Sequence, residues 1–255
     1  MRRAPIIAVV LALAVPSLAR ADIQPHKAIY DLVDEDGAAT GGRVEYEILG
    51  NACDGWAVLQ KIDIPKAGAR VVTTNASWEA ADGSAMRFHE TTERDGQTVS
   101  RFRGQAASGS NGFAVFTDGE GGESFGQLPQ GTLLPTLQTK TLLTQAKRDR
   151  SVLSSNKVFL GTSSEGALPL EITSVLSPRA STPGDHPELD GQPSWNVTSS
   201  FYEAGGRPDT GPDYTVRSIQ FGNGVVQSME ITREGATARA RLRSLDLYEV
   251  VECNR

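Results

Sequence analysis

Hydrophobic and polar residues alternate along most of the chain, in short stretches separated by residues that favour turns. In the first half, these stretches are 28–32, 44–48, 56–64, 70–79, 85–90, 97–103 and 113–116. In the second half, they are 155–160, 168–176, 194–203, 213–220, 224–233 and 236–251. Alternation with a period of two residues is typical of β-strands with one buried face. The pattern predicts an all-β fold of roughly a dozen strands, either a barrel or a curled sheet.

Short dipeptides that end in glycine separate many of the predicted strands. They lie at 82–83, 95–96, 111–112, 118–119, 223–224 and 234–235. Asp-Gly and Asn-Gly readily adopt the positive φ angles of a tight two-residue turn, which predicts antiparallel hairpins. By contrast, 177–193 is rich in proline and 204–212 is rich in glycine and proline, so both are predicted to be irregular loops.

One segment, 136–147, departs from the strand pattern and contains good helix formers. Its apolar and small residues recur at helical spacing, at Leu137, Thr141, Leu142 and Ala146. Thr136 can cap the N-terminus, and the basic run at 147–150 suits the C-terminus because of the helix dipole. The segment predicts a single helix of about three turns.

The N-terminus has the three parts of a secretory signal peptide. Arg2 and Arg3 supply positive charge, 6–15 is apolar, and the small residues end at Ala21. This pattern predicts export and cleavage after Ala21, leaving one domain over 22–255. A membrane-spanning helix needs about 20 apolar residues, about twice the length of this run, so the exported protein is not expected to span a membrane.

The chain is acidic, with a formal net charge of −6. Such a charge provides no footprint for nucleic acid, and we expect no nucleic-acid partner. Arg239, Arg241 and Arg243 nevertheless alternate at strand spacing and would share one face of a strand. Two interpretations stay open: a solvated sheet face, or a basic lining for an anionic ligand.

The chain has two cysteines, Cys53 near its start and Cys253 near its end. In an exported protein, two cysteines favour one structural disulfide. The alternative is a redox-active pair, but such pairs usually have Cys-x-x-Cys spacing. A bridge would enclose about 200 residues and tie the last strand beside the second, as expected of a closed or spiralling sheet.

Motifs for catalysis or metal binding are not evident in the sequence. His26, His89 and His186 lack the spacing of metal ligands. A nucleophile elbow, a phosphate loop and a dinucleotide fingerprint are also missing. We therefore predict no catalytic residues, no metal and no cofactor. A carboxylate pair acting on a glycan stays open, because carboxylates are plentiful and nothing singles out a pair.

Several segments resemble the envelope integrity protein B family, in order, along essentially the whole chain after the signal peptide. They are 26–30 (HKAIY), 42–47 (GRVEYE), 53–56 (CDGW), 78–96 and, most specifically, 128–136 (LPQGTLLPT). The resemblance implies a periplasmic protein in which a long curled sheet, a β-spiral, wraps around a central helix. It also implies a disulfide between Cys53 and Cys253 and a role in keeping the Gram-negative envelope intact.

The resemblance further implies a shape similar to an open barrel of the lipoprotein-carrier type, whose half-barrels hold acyl chains. In such a fold, Leu137 and Leu142 either fill the core or border a pocket. Gln138 stands where the family leads us to expect a histidine. These three helix residues are the candidate pocket residues.

The predicted function is non-catalytic support of the cell envelope by a periplasmic monomer that binds an envelope component. That component is a lipid, peptidoglycan or a periplasmic protein. A lipid or lipoprotein carrier is the first alternative and predicts an apolar cavity with the helix as a movable lid. An enzyme acting on glycan is the second and would need two carboxylates facing across a cleft.

Overall fold

The computed structural model describes residues 23–66, 68–149, 151–163, 168–180, 186–203, 211–251 and 253. The predicted signal peptide, 1–21, lies outside these residues. Within them, the strands are β1 (His26–Val33), β2 (Ala39–Asn51), β3 (Gly55–Lys66), β4 (Ala69–Glu79), β5 (Ala85–Arg94), β6 (Gln97–Ala107), β7 (Gly112–Thr117), β8 (Glu123–Leu128), β9 (Val152–Val158), β10 (Leu170–Pro178), β11 (Ser194–Glu203), β12 (Tyr214–Phe221), β13 (Val226–Arg233) and β14 (Ala236–Leu247). The helices are α1 (Pro135–Arg148) and a short 3-10 helix (Pro187–Leu189).

The fourteen strands form a single antiparallel sheet in the order β8-β7-β6-β5-β4-β3-β2-β1-β14-β13-β12-β11-β10-β9. Pairing of β1 with β14 joins the two halves of the chain, with His26 opposite Leu247 and Tyr30 opposite Leu242. The outermost strands are β8 and β9, so the sheet is curled but not closed. The predicted all-β curled sheet with one long helix is confirmed, with fourteen strands where the pattern indicated roughly a dozen.

Among the described residues, β9 does not pair with β8 and instead lies inside the curve of the first half of the sheet. Leu133, just before α1, forms a parallel bridge with Val158 at the end of β9. Beyond β9, the ring of Phe159 lies 5.6 Å from that of Phe88 on β5. The sheet therefore winds as a spiral.

Alternation along each strand gives the sheet an inner face, which we define by Trp56, Val58 and Gln60 on β3 and which faces α1. The helix buries Leu142, Leu143 and Ala146 against this face. Their neighbours come from both halves of the sheet: Ile48, Trp56, Val152, Leu176, Trp195 and Val197. Packing of α1 thus joins β2 and β3 to β9, β10 and β11.

The helix begins differently from the prediction. Pro135 is its first residue, and the preceding Leu134 is extended and provides no side-chain cap. Proline suits the first helical position because its φ is fixed and it needs no hydrogen-bond acceptor, and it disfavours helical geometry in the residue before it. Thr136 therefore lies inside the helix, and the prediction that it caps the start is wrong.

Turn chemistry matches the sequence at some positions and not at others. Asp95 and Gly96 have φ angles of 49° and 77°, as the tight turn requires. At 118–119, however, the connection is longer: Asp118 accepts hydrogen bonds from the backbone N–H groups of Glu120 and Gly122. The strand that follows, β8, was not predicted.

The helix lies across one end of the spiral, which we call the closed end. A Cβ atom added at Gly83, in the β4–β5 turn, would lie 2.5 Å from Leu137 Cδ2. At the other end of α1, a Cβ added at Gly222, in the β12–β13 turn, would lie 3.3 Å from Lys147 Cε. Both turns lie at the end of the sheet where β1 begins, at His26, and where β3 begins, beside Trp56.

We expect Gly83→Ala to destabilise the protein by about 1 kcal/mol more than Gly96→Ala. Both glycines have φ near +75° (71° and 77°), so the backbone strain of alanine is shared by the two variants. Only at Gly83 does the new methyl group meet a side chain, because nothing lies within 4 Å of a Cβ added at Gly96. Urea unfolding of both variants checks this, and equal losses would show that Leu137 yields without penalty.

Candidate functional site

A cavity of about 360 Å³ runs along the inner face of the sheet. Much of its wall is aliphatic and comes from β1, β2, β3 and β13: Leu32, Val44, Ile62, Ile64, Val226, Met229 and Ile231. We call it the apolar chamber. It begins near His26 at the closed end and reaches Leu32, six residues along β1, which corresponds to about 20 Å of strand. Ile231, at the far end, is 37% exposed, so the chamber opens away from the helix.

A second cavity of about 310 Å³ lies beside the first, between α1 and the inner faces of β3, β4 and β5. Its wall combines apolar side chains, such as Met86 and Phe88, with several polar ones: Gln60, Asn75, Ser77, Thr136 and Thr139. We call it the polar chamber. Four residues line both chambers, namely Tyr46, Gln60, Thr139 and Gly224, so the two adjoin at the middle of the inner face.

Glu79, at the end of β4, lines the polar chamber and holds the start of α1. The backbone N–H of Thr136 donates to both carboxylate oxygens at 3.0 Å, and its hydroxyl donates to Oε1 at 2.6 Å. This carboxylate replaces the missing local cap and meets the positive end of the helix dipole. Burial raises the pKa of Glu79, while the hydrogen bonds from Thr136 partly offset that increase.

Three ionisable side chains that line the chambers, those of His26, Tyr30 and Tyr46, have pKa values shifted toward the uncharged form. His26 Nδ1 lies 2.7 Å from the carbonyl oxygen of Gln24, and burial lowers the pKa of this imidazole. Burial likewise raises the pKa of the Tyr30 and Tyr46 hydroxyls. Tyr30 donates its hydrogen bond to the carbonyl of Val226 at 2.9 Å. The groups thus add hydrogen-bonding capacity to the cavity wall without adding charge at neutral pH.

The arginines of β14 alternate with Ala238 and Ala240, which line the apolar chamber, and the guanidinium groups of Arg239 and Arg243 pair with carboxylates. Arg239 Nε lies 2.9 Å from Glu230 Oε2, and Arg239 Nη1 lies 3.8 Å from Glu35 Oε1. Arg243 Nη1 lies 3.4 Å from Asp31 Oδ1. Of the two interpretations of this run, the structure favours a solvent-exposed charged face for Arg241 and Arg243, whereas Arg239 also lines the apolar chamber.

The structure places the three candidate helix residues away from the chamber walls. Leu137 packs beside the β4–β5 turn, and Leu142 is part of the core around Trp56. Gln138 is buried, and within the described part of the chain its side-chain amide has no hydrogen-bond partner. From α1, the residue that lines both chambers is Thr139.

The disulfide lies at the closed end. Cys53, in the β2–β3 turn, is bonded to Cys253, beyond the end of β14, with 6.0 Å between their Cα atoms. On the way there, Tyr248 donates from its backbone to Pro25 at 2.9 Å and from its hydroxyl to Glu47 at 2.6 Å. The C-terminal segment is thus tied to both β1 and β2, and the bond pairs the cysteines as the resemblance implied.

Fold and interior together define a barrel-like protein, in which an open antiparallel sheet curls around one helix and encloses two adjoining chambers. The chain belongs to the EipB-like family, whose model matches residues 17–249. It is similar in fold to the beta-barrel-like protein of domain of unknown function DUF1849 from Brucella abortus, at 23% identity and a TM-score of 0.78. That likeness covers 89% of this chain and 99% of the other.

No curated protein matches the chain. Among the described residues, no helix has both the length and the apolar character needed to cross a bilayer.

Proposed function

We propose that this protein is a non-catalytic periplasmic monomer that supports cell-envelope integrity by binding an envelope component in its interior. The observation that carries the proposal is the apolar chamber. Its volume of about 360 Å³ and its aliphatic wall match the usual properties of ligand sites, which are concave, mostly apolar and about 300–1,000 Å³ in volume. Because the wall is aliphatic, an acyl chain is the part of an envelope component that suits it.

Location in the periplasm is supported by two independent features. The disulfide between Cys53 and Cys253 is of a kind that persists in oxidising compartments. The N-terminal sequence pattern predicts export. Membership of the EipB-like family is in keeping with both, since the related envelope integrity protein B family is periplasmic.

We infer a non-catalytic role from the carboxylates that line the chambers. Among the described residues that line either chamber, the one carboxylate is that of Glu79 in the polar chamber, and its oxygens already accept hydrogen bonds from Thr136. Hydrolysis of a glycosidic bond by the usual mechanism needs two carboxylates on opposite sides of the bond. A binding role therefore fits the polar chamber better than a role in glycan cleavage.

A second candidate function, as a lipid or lipoprotein carrier, is favoured by the position of the opening. The apolar chamber opens beside Leu32, Ile64 and Ile231, whereas α1 lies at the closed end. The helix is anchored there by Leu142 and Leu143 in the core. An acyl chain could enter and leave at the open end with α1 in place, so a carrier of this design would not need the helix as a lid.

The proposal predicts that Ile62→Trp, which fills the apolar chamber, lowers affinity for an apolar fluorescent probe such as N-phenylnaphthylamine at least tenfold. Leu59→Trp is the matched control, because Leu59 lies on the same strand, is 44% exposed and faces outward. It should bind the probe like the unchanged protein. Equal binding by both variants, or no binding by the unchanged protein, would contradict the proposal.

The envelope role has its own readout in the source bacterium. Cells lacking the protein should become sensitive to detergent, and the Leu59→Trp form should restore resistance whereas the Ile62→Trp form should not. Restoration by both forms at equal protein levels would show that the envelope role does not depend on the chamber.

A further inference from the structure

The two adjoining chambers differ in chemistry, and this difference indicates which kind of molecule fits both. Aliphatic side chains dominate one chamber, as at Ile62 and Met229. The other adds amide and hydroxyl side chains to an apolar wall, as at Asn75, Ser77 and Thr139. Hydrogen-bonding side chains thus become more frequent beyond the point where the chambers meet, at Tyr46 and Gln60. Such a gradient suits a molecule with one apolar and one polar end.

The dimensions favour a single hydrocarbon chain. The apolar chamber follows β1 from His26 to Leu32, or about 20 Å of strand. A hydrocarbon chain that spans one leaflet of a bilayer covers about 15 Å, half of a hydrocarbon core of about 30 Å. The chamber is therefore long enough for one acyl chain of ordinary length.

The charges in the polar chamber argue against an anionic head group. Glu79 lines this chamber, so a buried phosphate or carboxylate would be desolvated beside a second acidic group, which is unfavourable on both counts. In the apolar chamber, the side chains that could supply a compensating cation are His26 and Arg239. Burial lowers the pKa of His26, and Arg239 is held by Glu230 and Glu35. His89 also borders the polar chamber, and its Nε2 atom lies 3.0 Å from the Thr91 hydroxyl.

Hydrogen-bonding groups in the polar chamber suit hydroxyls. Amide and hydroxyl side chains offer donors and acceptors together, which is the requirement of a glycerol or sugar hydroxyl. Asn75 Nδ2 is 3.5 Å from Gln60 Oε1, at the long limit of a hydrogen bond, so either amide can turn toward a ligand with little loss.

We propose that the bound molecule is a single-chain amphiphile with an uncharged, hydroxyl-bearing head group, placed with its chain in the apolar chamber and its head group against Gln60, Asn75 and Thr139. This inference rests on the proposed binding function and names the ligand class for that site. A monoacylglycerol is the simplest molecule of this kind, and an alkyl glycoside has the same chemistry.

Binding of three ligands with the same dodecyl chain, all below their micelle concentrations, tests the inference on the disulfide-bonded protein at neutral pH. They are monododecanoylglycerol, dodecanoate and dodecanoyl lysophosphatidylglycerol. Isothermal titration calorimetry should give at least a tenfold higher affinity for the monoacylglycerol than for either anion. Equal affinities, or tighter binding of an anion, would overturn the inference and leave the proposed binding function standing. Failure of all three to bind would overturn the binding function itself.

A substitution at Asn75 tests where the head group binds. Asn75→Leu should weaken binding of the monoacylglycerol about tenfold and leave binding of dodecanoate unchanged, because only the head-group contact is removed. Thr74→Leu is the control, since Thr74 is the adjacent residue and faces the opposite side of β4. If Asn75→Leu bound the monoacylglycerol as tightly as Thr74→Leu does, the head group would not lie in the polar chamber. The comparison of the three ligands on the unchanged protein holds even if a variant folds poorly.

Discussion

Removing the disulfide by replacing both cysteines, Cys53→Ser with Cys253→Ser, is expected to lower the free energy of unfolding by about 3 kcal/mol. The bond closes a loop with a sequence separation of 200 residues. For a loop of that size, chain-entropy estimates give about 5 kcal/mol, and measured values often fall below such estimates. The effect arises chiefly in the unfolded chain, which the bond prevents from expanding.

Urea unfolding provides two readouts of this loss. The midpoint should fall, and the dependence on urea should become steeper, because an unfolded chain without the bond exposes more surface. Tyr248→Phe is the control: it removes the hydrogen bond from the Tyr248 hydroxyl to Glu47 and keeps the bridge. It should lower stability by about 1 kcal/mol with an unchanged slope. An unchanged midpoint in the double serine variant would show that the tail contacts alone hold the C-terminus.

Local features of the fold could be predicted from the sequence because their causes are local. A strand with one buried face alternates over a few residues, and the turn at Asp95 and Gly96 needs only two residues with positive φ. The helix was placed within one residue of each end for the same reason. The strand β8 was missed because Phe125 and Leu128 are its only large apolar residues, and neither alternates with a clear partner.

Long-range features could not be predicted in the same way. Pairing of β1 with β14 joins residues about 200 positions apart, and only the two cysteines hinted at it. The cap of α1 comes from Glu79, which is 57 positions from Thr136 in sequence. Nothing in the residues around 136 reveals that partner, so Thr136 was assigned the cap itself.

The chamber walls were missed although a signal for them exists. Val58, Gln60, Ile62 and Ile64 occupy successive inward positions of β3, and Gln60 interrupts an otherwise apolar series. A polar side chain at an inward position either pairs inside the core or lines a cavity, which makes Gln60 and Asn75 candidates from sequence alone. The choice between these outcomes depends on the curvature of the sheet, which brings β1, β3 and β13 around one space and which no short segment encodes.

Removing the Glu79 carboxylate is the second change from which we expect a large loss of stability. Glu79→Ala should lower the free energy of unfolding by about 3 kcal/mol, because the buried N–H and hydroxyl of Thr136 lose their acceptor at the start of α1. Chemical denaturation checks the magnitude. Glu171→Ala is the control, since Glu171 is exposed and its ion pair with Lys157 is long, at 4.0 Å. That control should change stability by less than about 0.5 kcal/mol.

Glu79→Gln separates the charge of this side chain from its hydrogen bonds, through the pH dependence of stability. Burial raises the pKa of Glu79 in the folded protein above its ordinary value of 4.5, so the folded state binds the proton more tightly than the unfolded chain does. Stability that comes from this proton is present below pH 4.5 and is lost as the pH rises through the folded-state pKa. The stability of the unchanged protein relative to Glu79→Gln should therefore decrease with rising pH across that window. A difference that stays constant or increases would show that the helix terminus and Thr136 outweigh burial and hold the carboxylate in its charged form.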